Sequence, residues 1–476
     1  MEHTTVFSGI IREFSKLSAI PRPSGHEEAV SAYLMDRLTG LGLRPERDVY
    51  YNVICDVPAT PGWERKGRLV LQAHSDMVCV GAADYRPLED PVTIQMKDGW
   101  LCTDGRSSLG ADCGIGLAAA MFLVASDYPH GPLRLIFTAD EERGLAGAQN
   151  IRRDCLQGCD GLINLDGFHF GNLLISSAGG LRQTFYKKSR RISSTMQQGI
   201  RLRLSGLRGG HSGDDIGLGR ANGARLMIWL LQTLPFSYEL ASFSSGTAHN
   251  AIPTQAQAVI AMDPMDETVL RGTTAAFLRD ALEIYGRADP ELALTVEPVE
   301  QPQTVLPTED RDDLLALAGL IQCGSWAQHP LCPDCVGSSG SLGLVAADET
   351  KLKIYSFLRS YDDAVLQERG AQYALAAEGL GFSVWEQGYG AWPGVAQDPL
   401  TELFQTQGRQ LGLELNKTTA HVGLEASVFH QMAPEMPIVS VGMEVLDPHS
   451  VHERVKLDTI EPFGRLLAAV IREYGK

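Results

Sequence analysis

The stretch Leu135-Ile-Phe-Thr-Ala-Asp140-Glu141-Glu142-Arg-Gly144 is an apolar, β-rich run that empties into three consecutive acids. Carboxylates at the exit of a buried strand are costly unless solvent or a cation neutralises them. The run therefore reads as a buried strand over Leu133–Thr138 whose end faces something polar. Around it the pattern repeats. Arg68–Ala73 and Leu162–Leu165 are further short apolar strands, and Asp112–Ser126 is an Ala-rich helix. Val6–Ser18 has helical periodicity, and Ser24, three residues before Glu27, suggests a capping box for a helix through about Leu41. Strands separated by helices predict an α/β fold with a mostly parallel central sheet flanked by helices.

From about Leu181 to Gln387 the pattern changes. Strand-like runs at Ile200–Leu204, Gln255–Met262 and Lys351–Leu358 alternate with helical ones at Arg220–Thr233 and Asp266–Ile284. This predicts an inserted α+β domain over residues 183–389, with 1–182 and 390–476 forming the domain it interrupts. Gly388-Tyr-Gly-Ala-Trp-Pro-Gly394 supplies the turn at its exit. After it, Thr401–Leu413 reads as helix and Met436–Val441 as strand. A chain of 476 residues would hold about three domain-sized units at roughly 150 residues each.

Charge narrows the function classes. Lys and Arg total 41 against 58 Asp and Glu, a formal charge of −17. A chain this acidic, with no basic run, offers no face for a phosphate backbone, so neither nucleic acid nor an anionic membrane surface is an expected partner. The apolar runs at Ala118–Val124 and Leu226–Leu231 fall well short of the ~20 residues that span a bilayer. The N-terminus shows no basic stretch followed by an apolar core, and the reading is cytoplasmic. Nine cysteines scattered over the chain do not suggest a disulfide framework. Cys332-Pro-Asp-Cys335, the sole C-x-x-C, reads as a pair of reduced loop thiols.

Five groups carry chemistry, the acidic turn among them. In Leu71-Gln-Ala-His74-Ser-Asp76, residues two apart share a strand face, so Asp76 can orient the His74 imidazole. The same pattern also fits a strand-end His beside a surface Asp. Asp112, between glycines at the head of the Ala-rich helix, is a candidate ligand or an N-cap. Glu141 and Glu142 can divide metal binding from proton transfer, or belong to a solvated turn. Asp166 again stands where a strand ends, and His449 and His452 lie three apart in a loop. Together these acids and imidazoles recur at the strand edge where open α/β sheets build their sites. Nitrogen and oxygen donors without thiolate suit zinc, cobalt or manganese.

The motifs H-S-D-M-V, L-G-A-D-C-G-I-G, D-E-E-R-G, N-L-D, G-G-H-S-G and P-H-S-V-H-E-R-V occur here in the order seen in the aminoacyl-histidine dipeptidases. The chain resembles that family of co-catalytic zinc peptidases, which is related to carnosinase and aminoacylase. The resemblance runs from Ile20-Pro-Arg-Pro-Ser-Gly-His-Glu-Glu28 to the C-terminal His loop. It implies two divalent ions, zinc first, with cobalt or manganese as alternatives. Asp112 would bridge them, His74, Glu142, Asp166 and His449 would be the other ligands, and Asp76 would orient His74. Glu141 would be the general base on the attacking water. His211 would stabilise the oxyanion, Arg359 and Asn250 would hold substrate carboxylate or backbone, and Glu425 would meet the substrate amine.

The implied activity is hydrolysis of dipeptides, Xaa-His or broader, by a protein with an inserted lid and a possible homodimer. Alternatives on the same scaffold are an N-acyl amino acid deacylase, an aminopeptidase or a non-catalytic binding protein. Several positions depart from the family pattern: Cys113 follows the bridging Asp, Val451 and His452 replace Pro and Asp in the C-terminal loop, and His421-Val-Gly-Leu-Glu-Ala-Ser427 stands for the usual H-A-G-L-E-C-G.

Overall fold

The computed structural model describes residues 5–475. It divides into two compact units. The first comprises the residues up to Ser177, Trp392–Thr419 and the residues from Leu424 onward; the second comprises Ala178–Ala391 with Ala420–Gly423. The strand Gly179–Lys188 lies wholly in the second unit, because it is hydrogen-bonded along its length to Lys351–Ser360. The exit turn at Gly388–Gly394 contains the return point at Ala391.

The first unit is built on an eight-stranded sheet in the order Glu46–Arg47, Val53–Val57, Leu133–Thr138, Leu69–His74, Gly161–Asn164, Ile438–Ser440, Asn172–Ser177 and Asn416–Ala420. Its central four strands, Leu133–Thr138 to Ile438–Ser440, run parallel. Every residue of Leu69–His74, Leu133–Thr138 and Gly161–Asn164 is buried, which is why they read as continuous apolar runs rather than alternating ones. The helix Val6–Ser18 places Val6, Ile10, Phe14 and Leu17 on one buried face, each contributing about 1.5–3 kcal/mol of apolar burial. These side chains share a core with Leu117–Leu123 of the helix Ala111–Val124 and with Phe463, Leu466 and Val470 of Leu457–Glu473.

Two local expectations are corrected. The helix Glu28–Gly40 starts without a side-chain cap. Ser24 instead hydrogen-bonds the Met77 carbonyl, and the Glu27 carboxylate accepts the Gly25 amide, so the turn beside Met77 claims both members of the supposed capping box. Cys332 and Cys335, expected to be free thiols, form a disulfide. They lie at the start of the second strand of the tight hairpin Gly324–His329/Cys332–Ala347, whose pairing shifts register around them; their Cα atoms are 5.3 Å apart, inside the range a disulfide needs.

The second unit is an antiparallel sheet in the order Ala293–Val299, Gln198–Ser205, Ala256–Met262, Tyr238–Gly246, Cys332–Ala347, Lys351–Ser360, Gly179–Lys188 and Ser383–Tyr389, with Gly324–His329 added beside Cys332–Ala347. Four helices, Gly223–Thr233, Glu267–Tyr285, Thr308–Leu320 and Asp363–Gly379, supply its own apolar core with Leu226, Phe277, Leu314 and Tyr373. The architecture is thus α/β with an inserted α+β unit. No helix among the described residues is long and apolar enough to cross a membrane.

Candidate functional site

The parallel strands of the first unit deliver their C-terminal ends side by side, and the polar groups follow from that register. His74 is the last residue of its strand and pairs with Thr138 of the neighbour. The acidic turn begins two residues after Thr138, and Asp166 lies two beyond the end of Gly161–Asn164. Asp76 is fully buried. One of its oxygens accepts the Glu141 amide at 3.0 Å and the other the Glu142 amide at 3.3 Å. Oδ1 also lies 3.3 Å from His74 Nδ1. One carboxylate therefore sets both the imidazole and the acidic turn. Asp140, at φ 54°, has its carboxylate within 4.8 Å of those of Asp76 and Glu27 and is neutralised by the two-pronged Arg143 guanidinium.

Asp112 is not an N-cap. Helical backbone is interrupted at Asp112 and Cys113 within Ala111–Val124, and the Asp112 side chain engages imidazoles rather than helix amides. Its carboxylate lies between two imidazoles: His74 Nε2 is 3.0 Å from Oδ1, and His449 Nε2 is 2.9 Å from Oδ2. Glu142 Oε1 is a further 2.9 Å from His449 Nε2, and Asp166 Oδ1 is 3.6 Å from His74 Nε2. His449 reaches this point from a loop between the paired strands Val445–Leu446 and Arg454–Lys456, with its own φ at 60°. His452 is exposed on the same loop. Cys113 directs its sulfur to the Leu165 carbonyl, 3.2 Å away, and burial pushes that thiol well above its ordinary range.

The electrostatics are those of a centre that draws positive charge. Burial opposes protonation of both imidazoles, yet the surrounding carboxylates hold His74 well above its usual value and raise His449 to about 10. Burial and neighbouring acids raise Glu141 well above the ordinary range and Asp166 to about 7. Asp112 is lowered instead, because its hydrogen bonds to His449 and His74 outweigh its burial. Ligand atoms of His74, Asp112 and Glu142 lie within 4.8 Å of one another, as do those of His74, Cys113 and Asp166. Asp166 Oδ1 is buried with no hydrogen-bond partner. Imidazole nitrogen and carboxylate oxygen at these spacings fit divalent cations.

Glu425 lies fully buried among the strands. Its Oε2 accepts bonds from Gln72 Nε2 at 2.5 Å and Thr138 Oγ1 at 2.6 Å, and only Oε1 has no protein partner. Burial raises its carboxyl to about 7.

The other expected residues belong to the second unit. His211 ends the short strand Gly210–His211, pairs with Ala251 and so stands beside Asn250, which is exposed. Its Nδ1 is 2.9 Å from Asp214 Oδ2. Arg359 is buried in Lys351–Ser360, donates to the Tyr389 hydroxyl at 3.0 Å and keeps its Nε without a partner. Sequence reasoning passed over His421, whose Nε2 is 2.7 Å from Ser339 Oγ. Burial, aided by the Arg359 charge, lowers it to about 3. The signal was present in His421-Val-Gly-Leu-Glu425, where the acid is the more conspicuous group.

Comparison with known proteins places the chain in a family. Residues 70–473 match the model of peptidase family M20/M25/M40. The chain is 30% identical over 473 residues to the cytosol non-specific dipeptidase of Escherichia coli K12, covering 97% of this chain and 96% of that protein. The crystal structure of aminoacylhistidine dipeptidase from Vibrio alginolyticus superposes with a TM-score of 0.88 at 29% identity, covering 99% of this chain and 98% of the other. Aminopeptidase PepT from Bacillus cereus shares the fold, with a TM-score of 0.58 at 15% identity over 99% and 100% of the two chains. With two imidazoles meeting on one carboxylate at the ends of parallel strands, and a family match spanning that whole constellation, the chain belongs to peptidase family M20/M25/M40.

Proposed function

We propose that this protein is a cytoplasmic metal-dependent dipeptidase whose first unit is catalytic and whose second is a substrate-binding lid. The observation that carries the reading is the Asp112 carboxylate, with a separate imidazole nitrogen within 3.0 Å of each oxygen. In this assignment His74 and Asp166 would hold one divalent cation, Glu142 and His449 would hold the other, and Asp112 would serve both. Bound there, such cations supply Lewis acidity to the scissile carbonyl and lower the pKa of water. Zinc suits the donor set first, with cobalt and manganese as alternatives.

Glu141 is the general base. It takes a proton from the attacking water and returns it to the departing amine, a transfer worth about 10²–10⁴ in rate. Asp76 fixes the Glu141 amide and faces His74 Nδ1, so it keeps base and ligand in register. His211 donates to the oxyanion, with Asp214 Oδ2 at its other ring nitrogen. Arg359, with a spare buried Nε, grips the free C-terminal carboxylate, a contact that favours dipeptides over longer chains. Asn250 holds substrate backbone, and Glu425 meets the substrate amine through its unpartnered Oε1. The E. coli and V. alginolyticus relatives, named for cytosolic and aminoacylhistidine dipeptidase activity, support this substrate class.

The test is Glu141→Gln assayed on a panel of Xaa-His and other dipeptides beside N-acetyl amino acids. Turnover of dipeptides should fall by about 10²–10⁴ while bound metal stays at the wild-type level. Undiminished hydrolysis would remove Glu141 from the mechanism, and preference for N-acetyl substrates would make the protein a deacylase.

A further inference from the structure

Glu453 is almost wholly buried, in the same loop as His449. Its Oε2 accepts the Leu109 and Gly110 amides at 2.8 and 2.9 Å, and its Oε1 accepts those of Ala111 and Asp112 at 2.8 and 3.2 Å. Four consecutive amides from a segment more than 300 residues away thus converge on one carboxylate. An ordinary side-chain cap satisfies one such amide. A buried acid beside the already acidic Asp112 is also expensive to keep, so helix capping alone gives no reason for a carboxylate here.

A second buried ion completes the arrangement. Arg22 is fully buried and donates to the Ser75 and Asp76 carbonyls at 3.0 and 2.9 Å through one nitrogen, and to the Gly110 carbonyl through the other. A Cβ on Gly110 would come within 2.6 Å of that second nitrogen, so the contact is close enough to require glycine. The links run from the His74–Asp76 segment through Arg22 to Gly110, and from Gly110 through Glu453 to the His449 loop. All three segments bear residues assigned to the metal centre.

We infer that Glu453 is a positioning residue that sets the spacing of Asp112 and His449, and so the affinity for the cation those two share. This rests on the metallopeptidase reading above. Neither role was visible in the sequence, although Arg22 and Glu453 both sit inside motifs that carry the family resemblance.

Glu453→Gln is nearly isosteric, but its amide nitrogen would face two amide donors instead of accepting from them. Titrating metal-stripped wild type and E453Q with Mn²⁺ or Co²⁺ by calorimetry, with the visible Co²⁺ spectrum recorded alongside, separates the two cation sites. The expectation is a tight first cation in both proteins and a second bound 10–100-fold more weakly in E453Q. The Co²⁺ spectrum should change at the second equivalent, and kcat should fall with KM for the dipeptide unchanged. Wild-type affinity for both cations in E453Q would overturn the inference, even if its melting temperature dropped. Should E453Q not fold, Glu453→Asp, one methylene short of the four amides, is titrated in its place, and wild-type affinity there overturns the inference equally. Two cations bound by wild type without dipeptide hydrolysis would instead refute the proposed function and leave the positioning role standing.

Discussion

Gly116→Ala puts the packing beneath the metal centre to a quantitative test. Gly116 lies one turn beyond Asp112 in the helix Ala111–Val124. A methyl group at its Cβ would stand 2.2 Å from the Leu165 carbonyl oxygen, 2.9 Å from Leu165 Cβ and 3.1 Å from its carbonyl carbon. Ordinary contact begins near 3.4 Å, and the nearest atom is backbone, so helix and strand end must part by about 1 Å. Overpacking of this kind costs about 1–3 kcal/mol, which for a unit of this size is a fall of a few to about 10 °C in melting temperature. The same displacement separates Asp112 from Asp166, the residue after Leu165. A misplacement of about 1 Å can lower turnover by about 10²-fold. Calorimetric melting and dipeptide hydrolysis read the two effects, with Gly40→Ala as control, since no atom lies within 4 Å of its added methyl. If G116A melts and turns over like wild type, the close approach of helix to strand end does not hold the carboxylates in place.

Three other outcomes are expected. Stripping divalent cations should abolish hydrolysis and lower the melting temperature, and metal restored at 100 times its Kd should return about 2.7 kcal/mol; identical melting with and without metal would contradict a cation held by the folded state alone. Asp310 is buried against Lys187 and Arg190, and although burial pushes its carboxyl up, the hydrogen bonds from Arg190 and Lys187 hold it below the usual value. Its stabilisation is present above the unfolded pKa of about 3.9 and is lost as pH falls through the lower folded value, so Asp310→Asn should cost about 1–2 kcal/mol at pH 7 and less at pH 3; an equal gap in urea midpoints at both would refute the assignment. Thiol titration of the denatured, unreduced protein should count seven free cysteines and nine after reduction; nine before reduction would rule out the Cys332–Cys335 bond.

Legibility followed the range of the interactions. Leu133–Thr138 and Val6–Ser18 were read to the residue, because a continuous apolar run and an i, i+4 stripe are local signals of burial. The capping box at Ser24 failed because Met77, more than 50 residues away, offered a competing hydrogen bond. An N-cap role for Asp112 failed for a similar reason: its carboxylate is engaged by His74 and by His449, more than 300 residues away. The Cys332–Cys335 pair depended on an irregular hairpin that spacing alone does not reveal.

What the sequence determined by itself is the chemistry: alternating strands and helices, acids and imidazoles where strands end, and motifs in an order that one family shares. Those are properties of neighbouring residues and survive in one dimension. The tertiary structure decided which of those groups meet. Only folding brings His74, Asp112 and His449 together across 375 positions of chain, leaves His452 exposed in the same loop as His449, ties His421 to Ser339, and turns Arg22 and Glu453 into buried links among three segments. Hydrogen bonds and ion pairs act over about 3 Å, and distance along the chain says little about distance in space once parallel strands have aligned their ends.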